Sequence, residues 1–227
     1  MTYLIYGFIF GLIVPYMARK FSKFMPATFS YALYRIVKLE KSVSWKKKKS
    51  SKKYMKLFKS LIYRSVFIGA VTGALSFYIC YKLGSEHAVW YLSLIFLLVL
   101  MGEVDVRTMF LPDILTIPLM LIGLNYSIFV GDWVNVAEAI LGSSFGYVMP
   151  IVASLLFIWR HKDAFGGGDV KLLSALGAWF GIEHLLHVIL VSIVIFVLQA
   201  IFTKKKEGAY GPSIVLAAFF VIIHYIC

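Results

Sequence analysis

Apolar runs close to twenty residues long recur along this chain, and short charged stretches separate them. A helix rises about 1.5 Å per residue, so a run of roughly 20 apolar residues is what it takes to cross about 30 Å of hydrocarbon. The chain has 227 residues, room for one soluble domain or for several membrane helices and little else. Composition decides between them. Hydrophobic residues make up 61% of the sequence and charged residues only 15%, against about 25% charged in a globular domain. The pattern predicts an all-α polytopic membrane protein of about eight transmembrane helices.

The first run, Tyr3 to Met17, has no basic residue before it and no small-residue cleavage site after it, and it reads as a retained span rather than a signal peptide. Arg19 to Arg64 follows and holds 15 of the 23 basic residues. Further spans are expected over Ser65–Tyr81, Ala88–Met101, Leu111–Val130 with a kink at Pro118, Val136–Trp159, Val170–Phe180, Leu185–Phe202 and Ala209–Ile226. If these alternate sides, residues 19–64, 103–113, 160–168 and 203–208 share one side. Basic residues concentrate there, and Lys82 is the only one in an opposite turn, so that side is cytoplasmic by the positive-inside rule. Lys171 lies near the inner end of its helix, where it can snorkel. The expected organisation is a first transmembrane helix (1–18), a basic cytoplasmic loop or interfacial segment (19–64) and a membrane-embedded core (65–227). Gly69 and Gly73, four residues apart, suit close helix packing.

The net charge of +12 is concentrated in these loops, which makes it topological. In the basic loop, lysines alternate with Tyr54, Phe58, Leu61 and Ile62. That segment reads either as a solvated basic face or as an interfacial helix on anionic lipid. No recognisable nucleic-acid module accompanies it, so nucleic acid is not expected as a partner. Cys80 and Cys227 are the only cysteines. They suggest neither a disulfide nor a metal site. Glu183-His184-x-x-His187 lacks the His-Glu-x-x-His order of zinc proteases and falls on the outer side, so its histidines read as structural.

The carboxylates carry the chemistry. A charged residue in the hydrocarbon costs roughly 2.5–3.5 kcal/mol on insertion scales. The topology leaves Glu103, Asp105, Asp113, Asp163 and Asp169 at the inner boundary. Asp169 stands out, because Gly166-Gly167-Gly168 runs straight into it and an apolar helix follows. Glycines remove Cβ atoms from its approach and let a substrate backbone lie close. Two neighbouring carboxylates cannot both ionise cheaply, so they share a proton. One then acts as base towards a water while the other polarises a carbonyl. That is enough to hydrolyse a peptide bond with no metal. These arguments leave Asp105 and Asp113 both open as the partner of Asp169. Leu111-Pro112-Asp113 also reads as an ordinary helix start with proline in its first turn, and Asp169 as an N-capping aspartate.

Asp105-x7-Asp113 with Leu111-Pro112-Asp113 resembles the first signature of the bacterial type IV prepilin peptidases. Phe165-Gly166-Gly167-Gly168-Asp169-Val170-Lys171-Leu172-Leu173 resembles their second, the Gly-x-Gly-Asp signature. Tyr210-Gly211-Pro212 is similar to the family's closing span. The resemblance covers roughly Leu98 to the C-terminus. It implies an eight-helix aspartyl protease of the bacterial inner membrane, with Asp105 and Asp169 as catalysts. Gly166, Gly168, Asp113, Pro112 and Lys171 would support the site. The implied reaction removes the short basic leader of type IV prepilins or pseudopilins after a glycine, at the cytoplasmic face, and proteolysis would need no cofactor. Many members also methylate the new amine with S-adenosylmethionine, and carry paired CxxC motifs able to hold zinc in the first loop. Here residues 19–64 contain no cysteine. The reading from a different class is a transporter or assembly component of a secretion machine that uses the acids for protons or packing. A presenilin-like protease is a nearer rival, but the Leu-Pro-Asp signature and the lack of Pro-Ala-Leu in the closing span argue against it.

Overall fold

A computed structural model of the chain describes residues 2–24, 52–84, 86–157, 166–203 and 208–226. The central stretch of the basic loop (25–51), the Arg160-His161-Lys162-Asp163 stop with Phe165, the Lys204–Glu207 stretch and Cys227 lie outside the described residues. The described residues are helical throughout, apart from short connections. The helices are α1 (Thr2–Phe24), α2 (Lys52–Leu83), α3 (Ala88–Thr108), α4 (Asp113–Phe129), α5 (Val136–Phe157), α6 (Gly167–Thr203) and α7 (Gly211–Val221). A π-helical turn, Ile222–Ile226, extends the last one. Five of the helices are long and apolar enough to cross a membrane, while α4 and α7 are shorter apolar helices. The fold is an all-α polytopic membrane bundle.

Length shows that α6 is two limbs rather than one straight helix. A straight helix would put Asp169 and Ile193 about 36 Å apart. Both line a single cavity. The chain turns back at Gly181, whose φ of 67° lies in the left-handed region that favours glycine. Two antiparallel limbs result, residues 167–180 and 182–203. The expected spans Val170–Phe180 and Leu185–Phe202 are these limbs, joined by a break at Gly181 instead of a four-residue turn. Counting both limbs gives eight helical segments among the described residues.

Two other boundaries differ from expectation. The polar stretch after Met101 is helical as far as Thr108, so Asp105 rides the last turn of α3 rather than a loop. The reason is electrostatic. Glu103 is buried, but Arg64 of α2 donates to its Oε2 at 2.7 Å and Arg107 to its Oε1 at 2.6 Å. With its charge matched, the turn stays helical in an apolar setting. The helix ends at Met109 in the left-handed region (φ 51°), and the Met109 amide closes back on the Asp105 carbonyl at 2.8 Å. The second boundary is the start of α2, which begins at Lys52 with its apolar stretch from Phe58, ahead of the expected Ser65.

Small residues set how closely the helices approach. α1 lies on α2, with Gly7 and Gly11 facing Thr72, Ser76 and Gly69. Thr72 Oγ1 donates to the Gly7 carbonyl at 2.8 Å. α5 packs on the first limb of α6 almost backbone to backbone, since a methyl added at Gly142 would meet the Gly177 carbonyl and the Gly181 Cα. Ser143 and Ser174 join the same pair through their hydroxyls at 3.1 Å. At the end of the bundle that holds the α4–α5 connection, Asn135 and Glu138 cap α5 reciprocally. His87 and Asp132 meet there at 3.8 Å. Asp105, Asp113 and Asp169 are at the other end.

Candidate active site

Asp105 and Asp169 reach one cavity of about 300 Å³, lined also by Met109, Gly166, Ile193, Phe196 and Tyr210. They come from different helix ends, Asp105 from the last turn of α3 and Asp169 from the first turn of α6. Two acids 64 residues apart in sequence therefore share a site, and Asp113 is not in it.

Asp113 is taken elsewhere. Its Oδ1 accepts from Lys171 Nζ at 2.6 Å, and both side chains are about half exposed. This bond ties the start of α4 to the first limb of α6, two residues beyond Asp169. A second contact does the same work: a methyl at Gly168 would lie 2.8 Å from the Leu111 Cβ and 3.1 Å from its amide nitrogen. The glycine lets Leu111-Pro112-Asp113 lie against the Gly-Gly-Asp turn. Pro112 stands in extended conformation (ψ 142°) at the cap of α4 and turns the chain from α3 into α4 over four residues.

Asp169 occupies the third position of its helix, not the cap. The Asp169 and Val170 amides both reach the Gly166 carbonyl, at 3.0 and 3.2 Å. Its carboxylate folds back on Gly166, where an added methyl would lie 3.1 Å from Oδ2. Asp105 Oδ2 accepts the Gly211 amide of α7 at 2.9 Å. Each acid is thus met by a glycine at the start of a helix, where amides and the helix dipole favour negative charge. Tyr210 completes the wall. Its hydroxyl is 2.6 Å from Ser192 Oγ on the second limb of α6, and its ring meets Phe196 edge-on. Sequence reasoning singled out Tyr210-Gly211-Pro212 only as a likeness to a closing span and did not attach Gly211 to Asp105. Nothing periodic links positions 106 residues apart.

Such an arrangement offers two carboxylates on one small cavity, partly apolar, at one end of a membrane bundle. The class it defines is a polytopic membrane protein with a two-aspartate site. Residues 92–201 match the Type IV leader peptidase family. The curated relatives point the same way. A prepilin leader peptidase/N-methyltransferase of Neisseria gonorrhoeae is 34% identical over 122 residues, which is 52% of this chain and 42% of that protein. One from Xanthomonas campestris pv. campestris is 38% identical over 141 residues, 55% of this chain and 46% of its own length. A third, from Pectobacterium carotovorum subsp. carotovorum, is 32% identical over 145 residues, 60% and 52% respectively. The chain spans about half the length of the curated relatives it matches. No solved structure matches it.

Proposed function

We propose that this chain is a prepilin leader peptidase, an aspartic endopeptidase that removes the short basic leader of type IV prepilins or pseudopilins. The observation that supports it best is the convergence of Asp105 and Asp169 on one cavity from two separate helix ends. The substrate's apolar helix lies in the membrane beside the enzyme and presents its scissile bond at the boundary. One of the two acids, ionised, takes a proton from a water as it attacks the carbonyl. The other, protonated, donates to the carbonyl oxygen, giving a gem-diol. On collapse the first acid passes the water's proton to the leaving amine and the second recovers a proton from a diol hydroxyl, so the pair again holds one proton and no metal is required. Because the active form holds one proton between two acids, the rate falls on both sides of an optimum pH and the two limbs belong to the pair.

Gly166, Gly168, Pro112, Asp113 and Lys171 act in this reading as supports. The glycines admit Asp169 and the Leu111 backbone, Pro112 turns the chain, and the ion pair joins the two segments. The membrane is the bacterial inner membrane, with the site facing the cytoplasm, and the charge pattern supports that orientation. The domain organisation proposed is 1–18, 19–64 and a protease core over 65–227. The basic segment lies on anionic lipid, and nucleic acid is not a partner. The relatives' second named activity, N-methylation, would draw on S-adenosylmethionine. The cysteines that hold zinc in the first loop of many family members are missing from this sequence, and no described residue is assigned to methyl transfer.

Co-expression with a prepilin in membranes lacking any other such peptidase tests the reading. Intact-mass measurement of the pilin should report loss of the leader, and one methyl of added mass if methylation is retained. A pilin that keeps its leader in the presence of inserted enzyme refutes the assignment. Stoichiometric binding without cleavage favours the assembly-component alternative.

A further inference from the structure

The first turn of α7 closes one side of the aspartate cavity, and Gly211 is the point where it meets Asp105. The opening amides of a helix have no partner within it. In α7, Pro212 has no amide hydrogen, and the Ser213 and Ile214 amides reach the Tyr210 carbonyl at 2.9 and 3.2 Å. Tyr210, at the cap position, makes no side-chain capping bond. The Gly211 amide instead donates to Asp105 Oδ2, and the acceptor is buried. Asp105 thus does for α7, across 106 residues, what a local aspartate does at an ordinary helix start. The fit excludes a side chain. A methyl at Gly211 would lie 2.6 Å from Oδ2 and 2.9 Å from Cγ, closer than side-chain carbons approach such atoms.

We propose that Gly211 is a positioning residue for Asp105. Its amide pins Oδ2 and leaves the other oxygen, Oδ1, for the proton exchange of the pair. The catalytic half of this statement rests on the peptidase reading above; the structural half does not.

Two measurements test it. Residue-resolved hydrogen exchange on the full-length protein in detergent reads the contact itself. The Gly211 amide should be protected in the wild type and exchange roughly 100-fold faster in Asp105→Ala, with Ser213 and Ile214 unchanged. Prepilin turnover reads the positioning. Gly211→Ala should lose about 100-fold in kcat, the scale of a 1 Å misplacement, with KM unchanged. Gly102→Ala is the control. It lies at the same α3–α7 contact, where an added methyl would be at an ordinary 3.5 Å from Val215, and it should turn over like the wild type. Wild-type kcat in Gly211→Ala, or a Gly211 amide indifferent to Asp105→Ala, overturns the proposal. If the wild type itself fails to cleave, the peptidase reading falls while the exchange result still decides the contact. If Gly211→Ala does not accumulate, the exchange result decides alone.

Discussion

At the end of the bundle that holds Trp133 and Gly181, stacked aromatic rings carry the core packing, beside the Asn135–Glu138 cap and the His87–Asp132 contact; at the end that holds Asp105 and Asp169, ion pairs and close backbone contacts set the arrangement. Trp133 stacks on Tyr91 with ring centroids 5.3 Å apart, and Trp179 stacks on Tyr126 at the same distance. Trp179 is fully buried, donates to the Leu119 carbonyl at 2.9 Å and lies on α4 where Gly123 leaves room. At the other end the contacts are directional. Gly211 holds Asp105, Lys171 holds Asp113, and Arg64 and Arg107 hold Glu103. Aromatic packing of this kind contributes stability chiefly through buried area, with preferred ring geometry and the Trp179 hydrogen bond added to it. The proposed shared-proton pair would need acids kept close against their repulsion and fixed by amides and cations.

That contrast can be broken at the aromatic end first. Trp179→Ala should cost about 3–5 kcal/mol of stability, the usual range for a fully buried large aromatic. Thermal unfolding in detergent measures it, and turnover per folded molecule should stay close to wild type. A chemical defect out of proportion to the unfolding would mean that the two ends are coupled. Gly142→Leu comes next, since it forces a side chain into the Gly177 and Gly181 backbone. Overpacking of this kind costs about 1–3 kcal/mol. The fall in unfolding midpoint should exceed that of Gly102→Ala. The smallest effect belongs to the half-exposed Asp113–Lys171 pair. Exposed ion pairs contribute about 0.2–1 kcal/mol, so Lys171→Ala should lower turnover by no more than roughly fivefold. The swap Asp113→Lys with Lys171→Asp should recover most of it. A loss as deep as that of a catalytic acid would move Asp113 into the chemistry.

The ends of the bundle could be read from charge alone. The alternation of basic and non-basic loops put residues 103–113 and 160–168 on one side, and Asp105, Asp113 and Asp169 do share one end. That Asp105 rather than Asp113 lines a cavity with Asp169 was not legible from the residues, since Asp113 meets Lys171 from 58 positions away. The length of α3 was hidden for a similar reason. Glu103, Asp105 and Arg107 look like a polar loop until Arg64 arrives from α2. The Gly211–Asp105 bond lies beyond any local pattern. A glycine that opens a helix looks the same in sequence whether its amide faces solvent or an acid. Close-packing glycines were legible in part. The spacing of Gly69 and Gly73 pointed to a helix contact, but only the structure supplies α1 as the partner.

On the proposed function, Asp105 and Asp169 work as one unit. Steady-state cleavage of a prepilin by purified wild type, Asp105→Asn and Asp169→Asn, at matched unfolding midpoints, addresses it directly. Loss of a positioned acid or base costs roughly 10²–10⁴-fold, and each variant should fall by that much while binding the prepilin as the wild type does. Wild-type turnover by either variant would contradict the account.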